Sequence, residues 1–178
     1  MTRYTPPAVI LHWLIALLIF VAFPLGVYMH ELPLSPLKLQ LYSYHKWMGI
    51  TVLLLAGLRL AWRATHTPPA LPAGMPGWQR AASHGVHGML YLLMIAVPLS
   101  GWLMSSAKGF QTVWFGVLPL PDLVGKSRDL GEALGDVHVF LNFTMLGLVI
   151  LHVAAAVKHH LLEGRTFMQR MSLGGRNA

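Results

Sequence analysis

Four apolar stretches, at roughly residues 8–28, 41–62, 82–104 and 137–161, alternate with segments where proline, glycine and charge gather. Each is near the ~20 residues a helix needs to cross the hydrocarbon of a bilayer. The pattern predicts an all-α fold, a four-helix transmembrane bundle, with residues 1–178 forming a single domain. The first stretch is too long for the apolar core of a signal peptide, and no Ala-x-Ala site follows it, so it is expected to be retained.

The connections are marked by helix breakers. Pro33 and Pro36 interrupt the first, and Thr67-Pro68-Pro69-Ala70-Leu71-Pro72-Ala73-Gly74-Met75-Pro76-Gly77 makes the second irregular. The third, roughly residues 105–136, is the longest and carries Pro119, Pro121 and Gly125. An amphipathic piece over 110–118, lying at the interface, is expected within it. Pro24 and Pro98 are expected to kink the first and third spans.

Composition strengthens the membrane reading: 55% of residues are hydrophobic, 11% are charged, and mean hydropathy is +0.57. Soluble domains seldom reach these values. A formal charge of +7 would point to nucleic acid in a soluble chain. Here it reflects basic loops facing a cytoplasm and anionic lipid, and no nucleic-acid partner is expected. Arg3, Arg59, Arg63, Arg80, Lys158, Arg165, Arg170 and Arg176 fall on one side, against Lys38, Lys46, Lys108, Lys126 and Arg128 on the other. Both termini are therefore expected in the cytoplasm, and, if the membrane is the inner membrane of a Gram-negative bacterium, the first and third loops face the periplasm.

Cysteine is absent while histidine occurs ten times. Disulfides, thiolate metal sites and covalently attached c-type haem are thereby excluded. Ionisable side chains inside spans are normally functional. The depth of each histidine follows from the alternating direction of the spans. His45 and His138 lie near the outer face, with His30 a weaker contender in the adjoining loop. His12 and His152 share an inner level, with His84, His87, His159 and His160 as competitors.

His138 and His152 are fourteen residues apart, just under four helical turns, which places them on nearly one face about 21 Å apart in depth. His159 continues that stripe roughly 10 Å further on. A lone histidine at a helix end is ordinarily an interfacial residue. A mid-span imidazole needs a partner in lipid, however, and a repeated register across spans points to bis-histidine ligation of haem, suited to electron transfer.

Arg59 stands fourteen residues after His45 and so faces the same way near the inner boundary. It is a candidate for a haem propionate, snorkelling to lipid headgroups being the alternative. The six tryptophans read as an interfacial belt. Gly49, Gly57, Gly88, Gly101 and Gly147 read first as helix-packing positions, with close approach of a porphyrin as the second reading.

Taken together, Tyr4 with His12-Trp13, His45, Ser83-His84-Gly85-Val86-His87, Asp136-Val137-His138, His152, and the run Val153-Ala154-Ala155-Ala156-Val157-Lys158-His159-His160 resemble the bacterial di-haem cytochromes b561. These are related to the cytochrome b subunits of formate dehydrogenases and nickel-iron hydrogenases. The resemblance covers almost the whole chain and implies two b haems, an outer one on His45 and His138 and an inner one on His12 and His152. It also implies a quinone site lined by His87 and His159. The best characterised branch oxidises periplasmic superoxide and reduces ubiquinone, so a membrane-bound haem oxidoreductase of that kind is the expected activity. A di-haem subunit serving a dehydrogenase is the alternative, and a histidine-lined metal or proton transporter a remote one. Lys46, Lys108, Lys126 and Arg128 form a candidate anion-attracting rim, among Asp122, Asp129, Glu132 and Asp136.

Overall fold

A computed structural model describes residues 3–70, 74–163 and 169–172. In chain order it contains helices α1 (Pro6–Glu31) and α2 (Pro36–Thr65), then α3 (Gly77–Ala107), strands β1 (Val113–Trp114) and β2 (Leu118–Pro119), and helix α4 (Arg128–Glu163). All four helices are long and apolar enough to cross a membrane. Each apolar stretch lies inside one of them, and polar turns extend every helix beyond it. α1 opens on proline, which fits a first turn because its missing N–H has no intrahelical role there. Ser35 caps α2 by accepting from the Lys38 N–H. At 36 residues, α4 is about 54 Å long, so its first turns stand clear of the hydrocarbon.

α1 packs against α2, α2 against α3, and α3 against α4. Among the described residues, neither α1 with α4 nor α2 with α4 packs closely backbone to backbone. Two apolar clusters hold the neighbouring helices together. Ile15, Val52, Ala56 and Met94 join α1, α2 and α3, and Leu93, Val97 and Met145 join α3 to α4. Large apolar side chains such as Phe20, Phe140, Ile150 and Leu161 face outward, as a surface solvated by lipid requires.

The segment expected to form an amphipathic piece is instead a β-hairpin, pairing Val113 with Pro119 and Trp114 with Leu118. Phe115 (φ 50°) and Gly116 (φ 72°) turn it in the left-handed region, which ends any helix. Its position is set by α2: Trp47 Nε1 donates to the Val113 carbonyl (2.7 Å), Lys46 Nζ to the Phe110 carbonyl (3.0 Å), and Trp114 Nε1 to Thr51 Oγ1 (3.3 Å). The end of the bundle bearing this hairpin is termed the outer end.

At the opposite, inner end the Tyr4 N–H donates to the Arg170 carbonyl, and Arg170 Nη2 to the Ala70 carbonyl. The described ends of the chain and the α2–α3 connection therefore meet on one side. Five of the six tryptophans expected in an interfacial belt donate their indole N–H within the protein, Trp13 to the Met171 carbonyl and Trp62 to Thr5 Oγ1 among them. They tie helix ends to loops. Trp78 is exposed.

Candidate functional site

Two histidine pairs cross the bundle at different depths. At the outer level the ring centres of His45 on α2 and His138 on α4 are 6.3 Å apart, with planes at 87°. At the inner level those of His12 on α1 and His152 on α4 are 6.2 Å apart, with planes at 70°. Two metal–nitrogen bonds of about 2 Å each occupy roughly two-thirds of such a distance, and the two ring radii fill the remainder. The helices each pair connects, α2 with α4 and α1 with α4, are among those whose backbones do not pack closely. The separation is the one that a metal ion held by both imidazoles would set.

Further bonds orient the outer rings. His45 Nδ1 lies 3.1 Å from the Ala22 carbonyl on α1. His138 Nδ1 lies 3.0 Å from the Val97 carbonyl and 3.0 Å from Ser100 Oγ on α3. A carbonyl accepts only from N–H, so Nδ1 carries the proton in both rings, and Nε2 is the nitrogen with a free lone pair. The Ser100 hydroxyl itself donates to Val97 (2.7 Å), leaving its oxygen to accept from His138. The donor chemistry fits iron in a bis-histidine haem.

The inner level holds a third ring. His87 on α3 stands 5.1 Å from His152, with planes at 84°, about an ångström too close to match the spacing of the other two pairs. Its Nδ1 bonds the Ser83 carbonyl at 2.6 Å. His152 thus has one neighbour at ligand-pair spacing and another in direct edge-to-face contact. His159 is half-buried on α4, seven residues beyond His152. His84 is exposed; His160 is half-buried and its Nδ1 has no hydrogen-bond partner. His30 is exposed at the end of α1.

Arg59 is built into the helix packing. Its Nη1 donates to the Ala8 carbonyl of α1 (2.7 Å) and its Nε to the Tyr91 hydroxyl of α3 (3.0 Å). The guanidiniums of Arg59 and Arg63 lie 5.8 and 5.6 Å from the Tyr91 ring centre. Both are near enough for cation–π attraction. Arg59 therefore joins three helices at the inner level rather than reaching for headgroups.

The expected basic rim divides. Lys108, Lys126 and Arg128 line an outer cavity of about 470 Å³ together with Phe110, Ser127 and Glu132. Arg128 is paired with Glu132 at 2.9 Å. Lys46 is bonded beneath the hairpin.

Sequence reasoning overlooked Gly26, Ser100 and Tyr91. A Cβ built on Gly26 would stand 3.0 Å from His45 Cε1, and one on Gly101 2.9 Å from His138 Cε1. A usable signal was present: Gly26 follows His12 by fourteen residues and Gly101 follows His87 by fourteen, the interval that also separates His45 from Arg59 and His138 from His152.

Comparison with known proteins points to one family. The family profile described as "Prokaryotic cytochrome b561" matches residues 3–174. "Cytochrome b561 homolog 2" of Escherichia coli (strain K12) is 32% identical over 180 residues, covering 95% of this chain and 90% of the homolog. "Probable superoxide oxidase CybB" of Yersinia pestis is 28% identical over 181 residues, covering 95% and 96%. "Cytochrome b561 homolog 1" of the same Escherichia coli strain is 25% identical over 174 residues, covering 96% and 97%. Membership implies b-type haem, and with four membrane-crossing helices and histidine pairs at two depths, the chain belongs to the prokaryotic cytochrome b561 family of multi-pass transmembrane electron-transfer proteins.

Proposed function

We propose that the chain is a single-domain superoxide:ubiquinone oxidoreductase of a bacterial inner membrane, holding one b haem between His45 and His138 and another between His12 and His152. The reading rests on the two matched ring separations, 6.3 and 6.2 Å, between helices whose backbones do not approach closely. A haem held by these histidines would supply reversible one-electron chemistry, suited to electron transfer rather than oxygen binding.

The remaining roles belong to the protein. The Ala22 and Val97 carbonyls hold the outer imidazoles in the tautomer that presents Nε2. Arg59, fixed through Ala8 and Tyr91, places a cation near the inner level, where it would hold a propionate. His87 and His159, toward the inner end of their helices, would bind the quinone carbonyls and deliver protons as the ring is reduced. The balance is two superoxide anions, each losing one electron to become O2, against one ubiquinone gaining two electrons and two protons. On this reading both termini face the cytoplasm and the hairpin end faces the periplasm. The assignment of superoxide draws on the name of the Yersinia pestis relative and on the lysine-lined outer cavity.

The purified protein should show b-haem bands that enzymatically generated superoxide reduces, and added ubiquinone should make the turnover catalytic. Reduction by superoxide no faster than in a His138→Ala control, together with rapid reduction by quinol or a soluble dehydrogenase, would replace superoxide with a protein or quinol donor. It would then identify the chain as a di-haem electron-transfer subunit.

A further inference from the structure

The two outer histidines are seated by one device used twice. His45 lies against α1, where its Nδ1 meets the Ala22 carbonyl and its Cε1 faces Gly26. His138 lies against α3, where its Nδ1 meets the Val97 carbonyl and its Cε1 faces Gly101. In both cases the carbonyl and the glycine are four residues apart, one above the other on the same helix face. Pro24 falls between Ala22 and Gly26, and Pro98 between Val97 and Gly101. Each proline leaves the carbonyl four residues before it, that of Phe20 or Met94, without its helical donor, while the Ala22 and Val97 carbonyls accept from the histidines through a second lone pair.

We infer that Gly26 and Gly101 are positioning residues of the outer site, each forming with the carbonyl one turn earlier a slot that fixes the ring plane, tautomer and reach of a ligand histidine. The inference rests on the reading of His45 and His138 as haem ligands and adds what holds them. Apolar carbon atoms pack best at about 3.5–4.0 Å, so an alanine methyl at 3.0 or 2.9 Å drives the ring out of its slot by several tenths of an ångström. Either displacement lengthens the Nδ1 bond to the carbonyl or misaligns Nε2. Both make the imidazole a poorer donor, which favours reduced iron. The slots differ in one respect: Ser100 adds a second acceptor at His138, and the α1 slot has no counterpart among the described residues.

The test uses full-length holoprotein: wild type, Gly26→Ala, Gly101→Ala and Ser100→Ala. Haem per chain, low-spin ferric EPR signals and a potentiometric titration resolving two centres would be measured. The slots predict that each glycine variant moves one centre to a more positive potential and alters its EPR signal. That centre is the one lost in His138→Ala, while the other is unchanged and acts as an internal control. Ser100→Ala, which removes a hydrogen bond without adding bulk, should shift the same centre by less. If Gly101→Ala does not accumulate, Ser100→Ala decides for the α3 slot. Two haems with unaltered potentials and EPR signals in the glycine variants and in Ser100→Ala would overturn the proposal while leaving the ligand reading intact. So would a shift confined to the centre lost in His12→Ala. A wild-type protein without haem would remove the ligand reading itself, and the slots with it.

Discussion

His87 touches His152 edge to face, with ring centres 5.1 Å apart. A group reacting at His87 is therefore one van der Waals contact from an inner-site histidine. His87→Ala is expected to retain two haems while slowing their oxidation by a soluble ubiquinone analogue by about tenfold or more, the scale on which a positioned acid–base group acts. His159→Ala should behave alike. Stopped-flow oxidation of the pre-reduced protein measures this. Loss of haem in either variant would instead mark that histidine as a ligand, and unaltered kinetics in both would put the quinone elsewhere.

The pairing of levels predicts that His45→Ala and His138→Ala each remove or convert to five-coordination only the outer haem. His12→Ala and His152→Ala do so only at the inner one. Haem stoichiometry and reduced-minus-oxidised spectra distinguish the classes. Two low-spin haems surviving in His138→Ala would break the assignment.

Arg59 bonds α1 and α3 simultaneously, so truncation removes both bonds from a half-buried setting. Arg59→Ala should destabilise the folded protein by about 2–4 kcal/mol, and Tyr91→Phe by about 1 kcal/mol, from the usual worth of charge-assisted and single hydrogen bonds. Thermal unfolding in a fixed detergent measures both. Equal effects from the two substitutions would mean that the Ala8 bond adds nothing.

Charge reversal at the outer cavity tests the approach of an anion. Lys108→Glu and Lys126→Glu should each lower the second-order rate with superoxide several-fold at low salt, and added salt should shrink the difference through screening. Arg128→Glu should act more weakly, because Glu132 already offsets that charge. Salt-independent rates in all three variants would show that this surface does not steer the donor.

The helices were legible because lipid leaves the backbone no partner but itself, so apolar runs of spanning length must become helices. The candidate histidines were legible because the fourteen-residue interval on α4 survives helix formation almost unrotated. The hairpin was not: β1 and β2 are two residues each, and what holds them is Trp47, 66 residues away. For Arg59, the choice between snorkelling and an inward role depended on Tyr91 and Ala8, whose nearness is a property of packing. Gly26 went unnoticed because close helix packing explains most glycines in membrane spans. Its meaning appears only when His45 is seen against it.

The slots also bear on how the protein is assembled. Each lies within a helical hairpin, His45 of α2 on α1 and His138 of α4 on α3. Each histidine pair, by contrast, takes one ring from α1–α2 and the other from α3–α4. A nascent chain entering the membrane from its N-terminus can seat His45 before α3 has been synthesised, and His138 as soon as α4 pairs with α3. On the proposed haem reading, two pre-set half-sites then meet across the α2–α3 packing, and each haem would be the last piece to enter, bridging one ring from either half.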